Sequence, residues 1–162
     1  MKRALASAGV PSVLEPVGLD RGDGRRPDGL TLFPYTQGKS LIWDATCTDT
    51  YAGDSIVACA ADPGAAARAA EARKRRRYED LAQRYRFEPL AVETTGVLGP
   101  AFANFITDLG RRVAVATGDI SQRDRLAAAA SISCCTARQQ HLLANLVVVF
   151  PFLILGIFFC YM

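Results

Sequence analysis

Histidine is nearly absent from this chain: His141 is the only one among 162 residues. Neither a His-based zinc site nor a Ser-His-Asp triad can be assembled from the body of the sequence. Cysteine is present but unpatterned. The five, Cys47, Cys59, Cys134, Cys135 and Cys160, lack metal-ligand spacing, and their odd number argues against a closed disulfide framework. A reducing compartment is the simpler expectation. The nucleotide fingerprints are missing too. Gly22-Asp23-Gly24 has no third glycine, no preceding strand and no following helix. No internal repeat is visible. Neither sign of charge dominates: the formal net charge of +3 is only a weak pointer to an anionic partner.

What is there is a chain of one-domain length. Half its residues are hydrophobic, which leaves room for a core and excludes global disorder. Its most informative stretch runs from Pro27 to Asp49. Two β-type runs, Gly29-Leu-Thr-Leu-Phe-Pro-Tyr35 and Lys39-Ser-Leu-Ile-Trp-Asp-Ala-Thr-Cys47, flank a short polar link containing Gly38. This is a hairpin pattern. Asp28 opens the first strand and Asp44 lies inside the second, so antiparallel pairing can bring the two carboxylates together. Side chains alternate along a strand. Leu41, Trp43 and Cys47 therefore form one apolar face, while Asp44 and Thr46 share the other with Ile42. A carboxylate in such apolar company needs compensation. Two kinds are open. Asp28 and Asp44 can hold a divalent cation, because hard Mg²⁺ takes one or two carboxylates together with water and substrate phosphate. Alternatively Asp28 caps a turn and Asp44 pairs with an arginine.

Pro27-Asp28, a hairpin and then Asp44-Ala45-Thr46 resemble the PD-(D/E)XK pattern of restriction-endonuclease-like nucleases. More closely, Arg26-Pro-Asp-Gly-Leu-Thr-Leu32, Leu41-Ile-Trp-Asp-Ala-Thr46 and Val92-Glu-Thr-Thr-Gly-Val-Leu-Gly-Pro100 are similar to a domain found beside reverse transcriptases in animal retroelement proteins. The likeness runs from about residue 4 to about Leu126. It implies an α/β fold, a restriction-endonuclease-like mixed sheet flanked by helices. It also implies Mg²⁺ held by Asp28, Asp44 and the Ala45 backbone carbonyl. The family's catalytic lysine position is Thr46 here, and a threonine supplies no positive charge to orient the attacking water. Lys39 lies at the far end of the hairpin. Lys74 is the only other candidate nearby in sequence. Weak or absent phosphodiesterase activity is therefore expected, with nucleic-acid binding retained.

The flanking chain fits an α/β domain. Met1–Gly9 reads as the end of a short helix and Ser12–Pro16 as a brief strand. Glu15 is a possible extra carboxylate or a surface residue. Arg21, Arg25 and Arg26 lie in a loop that a nuclease would turn toward phosphate. Thr50–Pro63 reads as a linker. Ala65–Arg86 reads as one helix with no Gly or Pro, its thin apolar stripe running through Ala66, Ala69, Ala70, Tyr78, Leu81 and Tyr85. Its centre, Arg73-Lys74-Arg75-Arg76-Arg77, is either a solvated face, a set of phosphate contacts or a nuclear-import signal. Phe87–Thr95 is the next strand, with Leu90 and Val92 on one face and Ala91 and Glu93 on the other. Glu93 is a candidate for the active edge or a satisfied buried carboxylate. Pro100 opens a helix through roughly Val115. Ser121 caps a last one beginning at Gln122.

Three units follow: a domain over 1–126, a helical and polar linker over 127–141, and an apolar tail over 142–162. Leu142 to Met162 is long enough to cross a bilayer core, for which about 20 residues suffice. It predicts a single-pass C-terminal membrane anchor with a cytosolic body, Cys134 and Cys135 being candidate palmitoylation sites; the alternatives are a buried core helix or unrelated coding sequence joined to the domain. A nuclear location applies if the tail is not used. The second functional reading is thus a tail-anchored protein whose body is an interaction module.

Overall fold

A computed structural model describes residues 1–19, 26–121, 124–126, 128 and 130. It is an α/β structure with a four-stranded mixed sheet in the order β1-β2-β3-β4. The strands are β1 (Ser12–Leu14), β2 (Gly29–Thr36), β3 (Lys39–Thr48) and β4 (Arg86–Glu93). The first three are antiparallel and β4 runs parallel to β3, with Asp44 in register with Pro89. Parallel pairing demands a long crossover. Helices α2 (Gly53–Ala61), α3 (Ala65–Arg77) and α4 (Glu79–Arg84) supply it, while α1 (Lys2–Ser7) precedes the sheet and α5 (Pro100–Thr117) follows it. The β2–β3 turn is Gln37-Gly38, both with positive φ as a type I′ hairpin requires.

Strand alternation sorts the core into two layers. Leu41, Trp43, Leu90 and Val92 face α5, meeting Phe102, Phe105, Ile106 and Leu109, with Leu5 of α1 added. Ile42 and Phe87 face the other way, onto Tyr78 and Leu81. Ala91 packs there against Ala67 and Ala70 of α3. The Tyr35 hydroxyl donates to Asp108 of α5 at 2.8 Å, and the Arg112 guanidinium lies 4.0 Å over the Tyr35 ring. This fixes α5 to β2.

Two buried glutamates join the layers. Neither α3 nor α5 has a side-chain cap of its own. Glu93 Oε1 accepts from the Ala66 and Ala67 N–H groups at 3.0 and 3.4 Å, and from Cys59 Sγ at 3.4 Å. Glu71 accepts from Ala101 and Phe102, each at 3.1 Å. Free N–H groups at a helix start favour a carboxylate. Glu93 is therefore the satisfied carboxylate of the two readings above. β4 lies at one edge of the sheet. Residues 97–99 cover its upper half, Gly99 N–H donating to Ala91 and Glu93 N–H to Val97, each at 2.8 Å. The lower half carries Pro89, whose missing N–H costs no ladder bond at an edge.

The sequence reading needs three corrections. Thr50–Pro63 is not a plain linker, because α2 occupies most of it. Ala65–Arg86 is not one helix: it breaks at Tyr78, whose φ of −108° and ψ of 24° leave the helical range. Tyr78 is buried against Phe87 with ring centroids 4.9 Å apart, so tertiary packing overrides local propensity there. The buried stripe of α3 also lies one position round from expectation, on Ala67, Ala70 and Glu71, while Ala69 is exposed. Among the described residues no helix is long and apolar enough to cross a membrane. The anchor predicted over 142–162, Cys134 and Cys135, and most of the linker over 127–141 lie outside the described residues.

Gly29 is the tightest point of the hairpin. A Cβ there would stand 2.0 Å from Cζ2 of the buried Trp43 ring. Gly29→Ala must displace that ring, and overpacking of this kind costs roughly 1–3 kcal/mol. The expected result is a lower urea midpoint at unchanged slope. A midpoint equal to the wild type would contradict the close approach.

Candidate functional site

β2 and β3 bring the two aspartates together. Gly29 pairs with Trp43, so Asp28 stands across from the Asp44–Ala45 peptide. Asp28 Oδ2 accepts the Ala45 N–H at 2.6 Å. Asp44 lies on the helix-facing side of β3 and is 6% exposed. The carboxyls sense each other. Burial is the main cause holding the Asp28 pKa above its ordinary value; the Asp44 charge adds to it, against the Ala45 hydrogen bond and the Lys74 charge.

The compensating cation is Lys74. Its ammonium forms an ion pair with Asp44 Oδ2, and Nζ also donates to the Ala45 carbonyl at 3.3 Å. Asp44 is thus paired with a lysine rather than an arginine. The pair is largely withdrawn from water, the two side chains being 12% and 9% exposed. One helical turn on, the Tyr78 N–H donates to the Lys74 carbonyl at 3.0 Å. Lys74 and Tyr78 therefore project from the same side of the chain. Burial and then the Asp44 charge push the Tyr78 phenol up to about 12, so it stays a neutral donor beside the carboxylates.

The remaining predicted residues divide. Thr46 is half-buried two residues beyond Asp44. Glu15 does not add a third carboxylate, because its exposed side chain is ion-paired with Arg26. Arg21 and Arg25 lie outside the described residues. Lys39 is spent on the Gln83 carbonyl at 2.8 Å. Of the basic run, Arg73, Arg75, Arg76 and Arg77 are exposed, and Lys74 alone turns inward. Arg75 and Arg76 line a cleft of about 300 Å³ with Glu79, Ala82 and Phe87. Among the described residues, no group of three or more His, Cys, Asp or Glu side chains is placed to hold a metal ion. Among the described residues, the Asp28 and Asp44 carboxylates and the Ala45 carbonyl are oxygen groups gathered around this point.

The sequence carried a signal for Lys74 that its basic neighbours masked. Counting by threes and fours from Ala67 through Ala70 or Glu71 reaches Lys74 and then Tyr78. That stripe is the buried one.

Comparisons with family models, curated proteins and solved structures return no match.

Asp28 gives the site a pH signature. A carboxyl whose folded pKa is raised stabilises the fold below its unfolded value and loses that contribution as pH rises through the folded one. In metal-free buffer the stability contributed by Asp28 should fall as pH climbs above the ordinary 3.8. Asp28→Asn keeps an acceptor for the Ala45 N–H and should remove this part of the decline. Urea midpoints over a pH series check it, and parallel wild-type and variant curves would contradict it.

Proposed function

We propose that this is a restriction-endonuclease-like, nucleic-acid-binding domain of the retroelement type. Asp28, Asp44 and Lys74 are its phosphodiesterase constellation. The observation that carries the reading is Lys74. The position expected to hold the catalytic lysine is Thr46, yet an ammonium from α3 reaches the Asp44 carboxylate. The charge missing from the strand is thus supplied from the crossover, which supports chemistry where the sequence pattern alone argues against it.

The donor set suits Mg²⁺, which is bound through one or two carboxylates and keeps several waters. Asp28, Asp44 and the Ala45 carbonyl would hold it. The cation character of the seat is visible in the ammonium lodged between Asp44 and Ala45. When bound, the metal lowers the pKa of a water nucleophile and offsets charge on the phosphate. The chain's own parts do the rest. The Ala45 N–H fixes Asp28, Tyr78 lies against Asp44, and Lys74 gives the positive charge that orients water and phosphate. The exposed arginines of α3 face solvent beside this point, and they suit a phosphate backbone read without sequence preference.

The full chain should nick supercoiled plasmid in Mg²⁺ or Mn²⁺ and stop with chelator. Asp44→Asn and Lys74→Ala should each lower the rate by on the order of 10³-fold or more, the scale of losing a charge aimed at the transition state. Thr46→Ala should change it little. Metal-independent nicking, or full activity in Asp44→Asn, would sink the enzymatic reading.

Binding gives a separate check. In chelator, log affinity for duplex DNA should fall linearly with log salt. Replacing Arg73, Arg75 and Arg76 by Gln should flatten that slope by roughly 0.9 for each phosphate no longer neutralised. An unchanged slope would remove α3 from the interface.

A further inference from the structure

Lys74 touches two of the three groups that would hold the metal. Its Nζ contacts Asp44 Oδ2 and lies 3.3 Å from the Ala45 carbonyl oxygen. The third group, Asp28, is held to the same residue through the Ala45 N–H at 2.6 Å. An oxygen lone pair committed to an ammonium is not free for a metal ion at the same position. Resting on the nuclease reading above, we propose that the Lys74 ammonium is a built-in occupant of the metal seat. A divalent cation enters only by displacing it from Asp44 and Ala45.

Several features of the fold fit this role. The Asp44 end of the seat is mostly closed to water, while Asp28 is half-buried and Ala45 exposed, and a carboxylate left without a partner at Asp44 is costly. An internal cation keeps Asp44 compensated until a metal replaces it. The lysine stem projects from α3, one turn before the break at Tyr78, so the ammonium can swing about its own four carbons without moving the sheet. The Ala45 N–H has no such freedom, because it is part of the β3 backbone. Displacement also moves the ammonium off the carboxylate, where it becomes available to an incoming phosphate. Vacating the seat and releasing the catalytic charge are then one event.

The two occupants exclude each other on Asp44, so removing one must strengthen the other. Lys74→Met keeps an unbranched stem and deletes the charge. In the full chain it should bind Mn²⁺ about tenfold tighter than the wild type, as measured by titration with paramagnetic detection, within the usual range of coupling between competing ligands. Arg76→Met deletes the same charge from the exposed face and should leave Mn²⁺ affinity within about twofold of wild type, since exposed charges are screened. Equal or weaker Mn²⁺ binding by Lys74→Met overturns the proposal, as does equal tightening by Arg76→Met.

If Lys74→Met does not fold, the wild type answers instead. Mn²⁺ should raise acylation of the Lys74 amine, read by peptide mass spectrometry, by several-fold over its level without metal, while Lys2 is unaffected. No rise overturns displacement. The nuclease reading fails separately: Mn²⁺ that binds and releases Lys74 but supports no nicking keeps the occupied seat and discards the enzyme. Metal-dependent nicking by the wild type, with Mn²⁺ affinity unaltered in Lys74→Met, does the reverse. A chain that binds no Mn²⁺ in either form overturns both.

Discussion

The ion pair between Lys74 and Asp44 is the contact on which the helix-facing half of the structure depends. Asp44 sits in the middle of β3, on the side that α3 covers, where removing the partner of a buried charge costs roughly 3–5 kcal/mol, a large share of a small domain's stability. Hydrophobic packing alone cannot place α3 there. Its buried stripe is largely alanine, which removes little area from water. The ammonium supplies what the alanines do not: a directional tie from the helix to one residue of one strand. The backbone break at Tyr78 follows from the same geometry. Tyr78 keeps the helical place one turn beyond Lys74, its phenol packed with Ile42 and Phe87 beside Asp44, and its backbone redirects the chain that follows into α4.

Among the described residues, Glu93, Glu71, Asp28 and Asp44 are buried or half-buried acids, compensated in three ways. Glu93 takes the start of α3 and Glu71 the start of α5. Asp28 takes the N–H of a strand peptide. The main-chain donors cannot leave without unfolding, and Glu93 has Cys59 Sγ and Thr95 Oγ1 besides. Asp44 has a side-chain cation, which can exchange. These acids differ less in burial than in whether the compensating group is able to move.

How much of this is legible in the sequence depends on range. Alternation defines the two faces of β3 and β4, and the Gln37-Gly38 turn marks the hairpin, because both are set within a few residues. Pro100 and Gly118 bracket α5 by known backbone preferences at helix ends. Asp28 and Asp44 could be paired because a hairpin has one simple closure. Helix α2 was hidden by Gly53 and Asp62-Pro63, which read as loop, and the break at Tyr78 by good helix formers on both sides. Lys74 is the instructive case. Its four arginine neighbours make it look like one more solvated charge, and only its contact with a strand thirty residues away distinguishes it.

The edges of the sheet bear on how many copies can work close together. One edge is β1, only three residues long, and the other is β4, half covered by residues 97–99 and interrupted by Pro89. Neither presents an unbroken row of donors and acceptors for a second chain to extend. A protein that reaches a high local concentration risks strand exchange between its copies. Among the described residues this sheet offers no continuous edge for it, so crowding need not become aggregation.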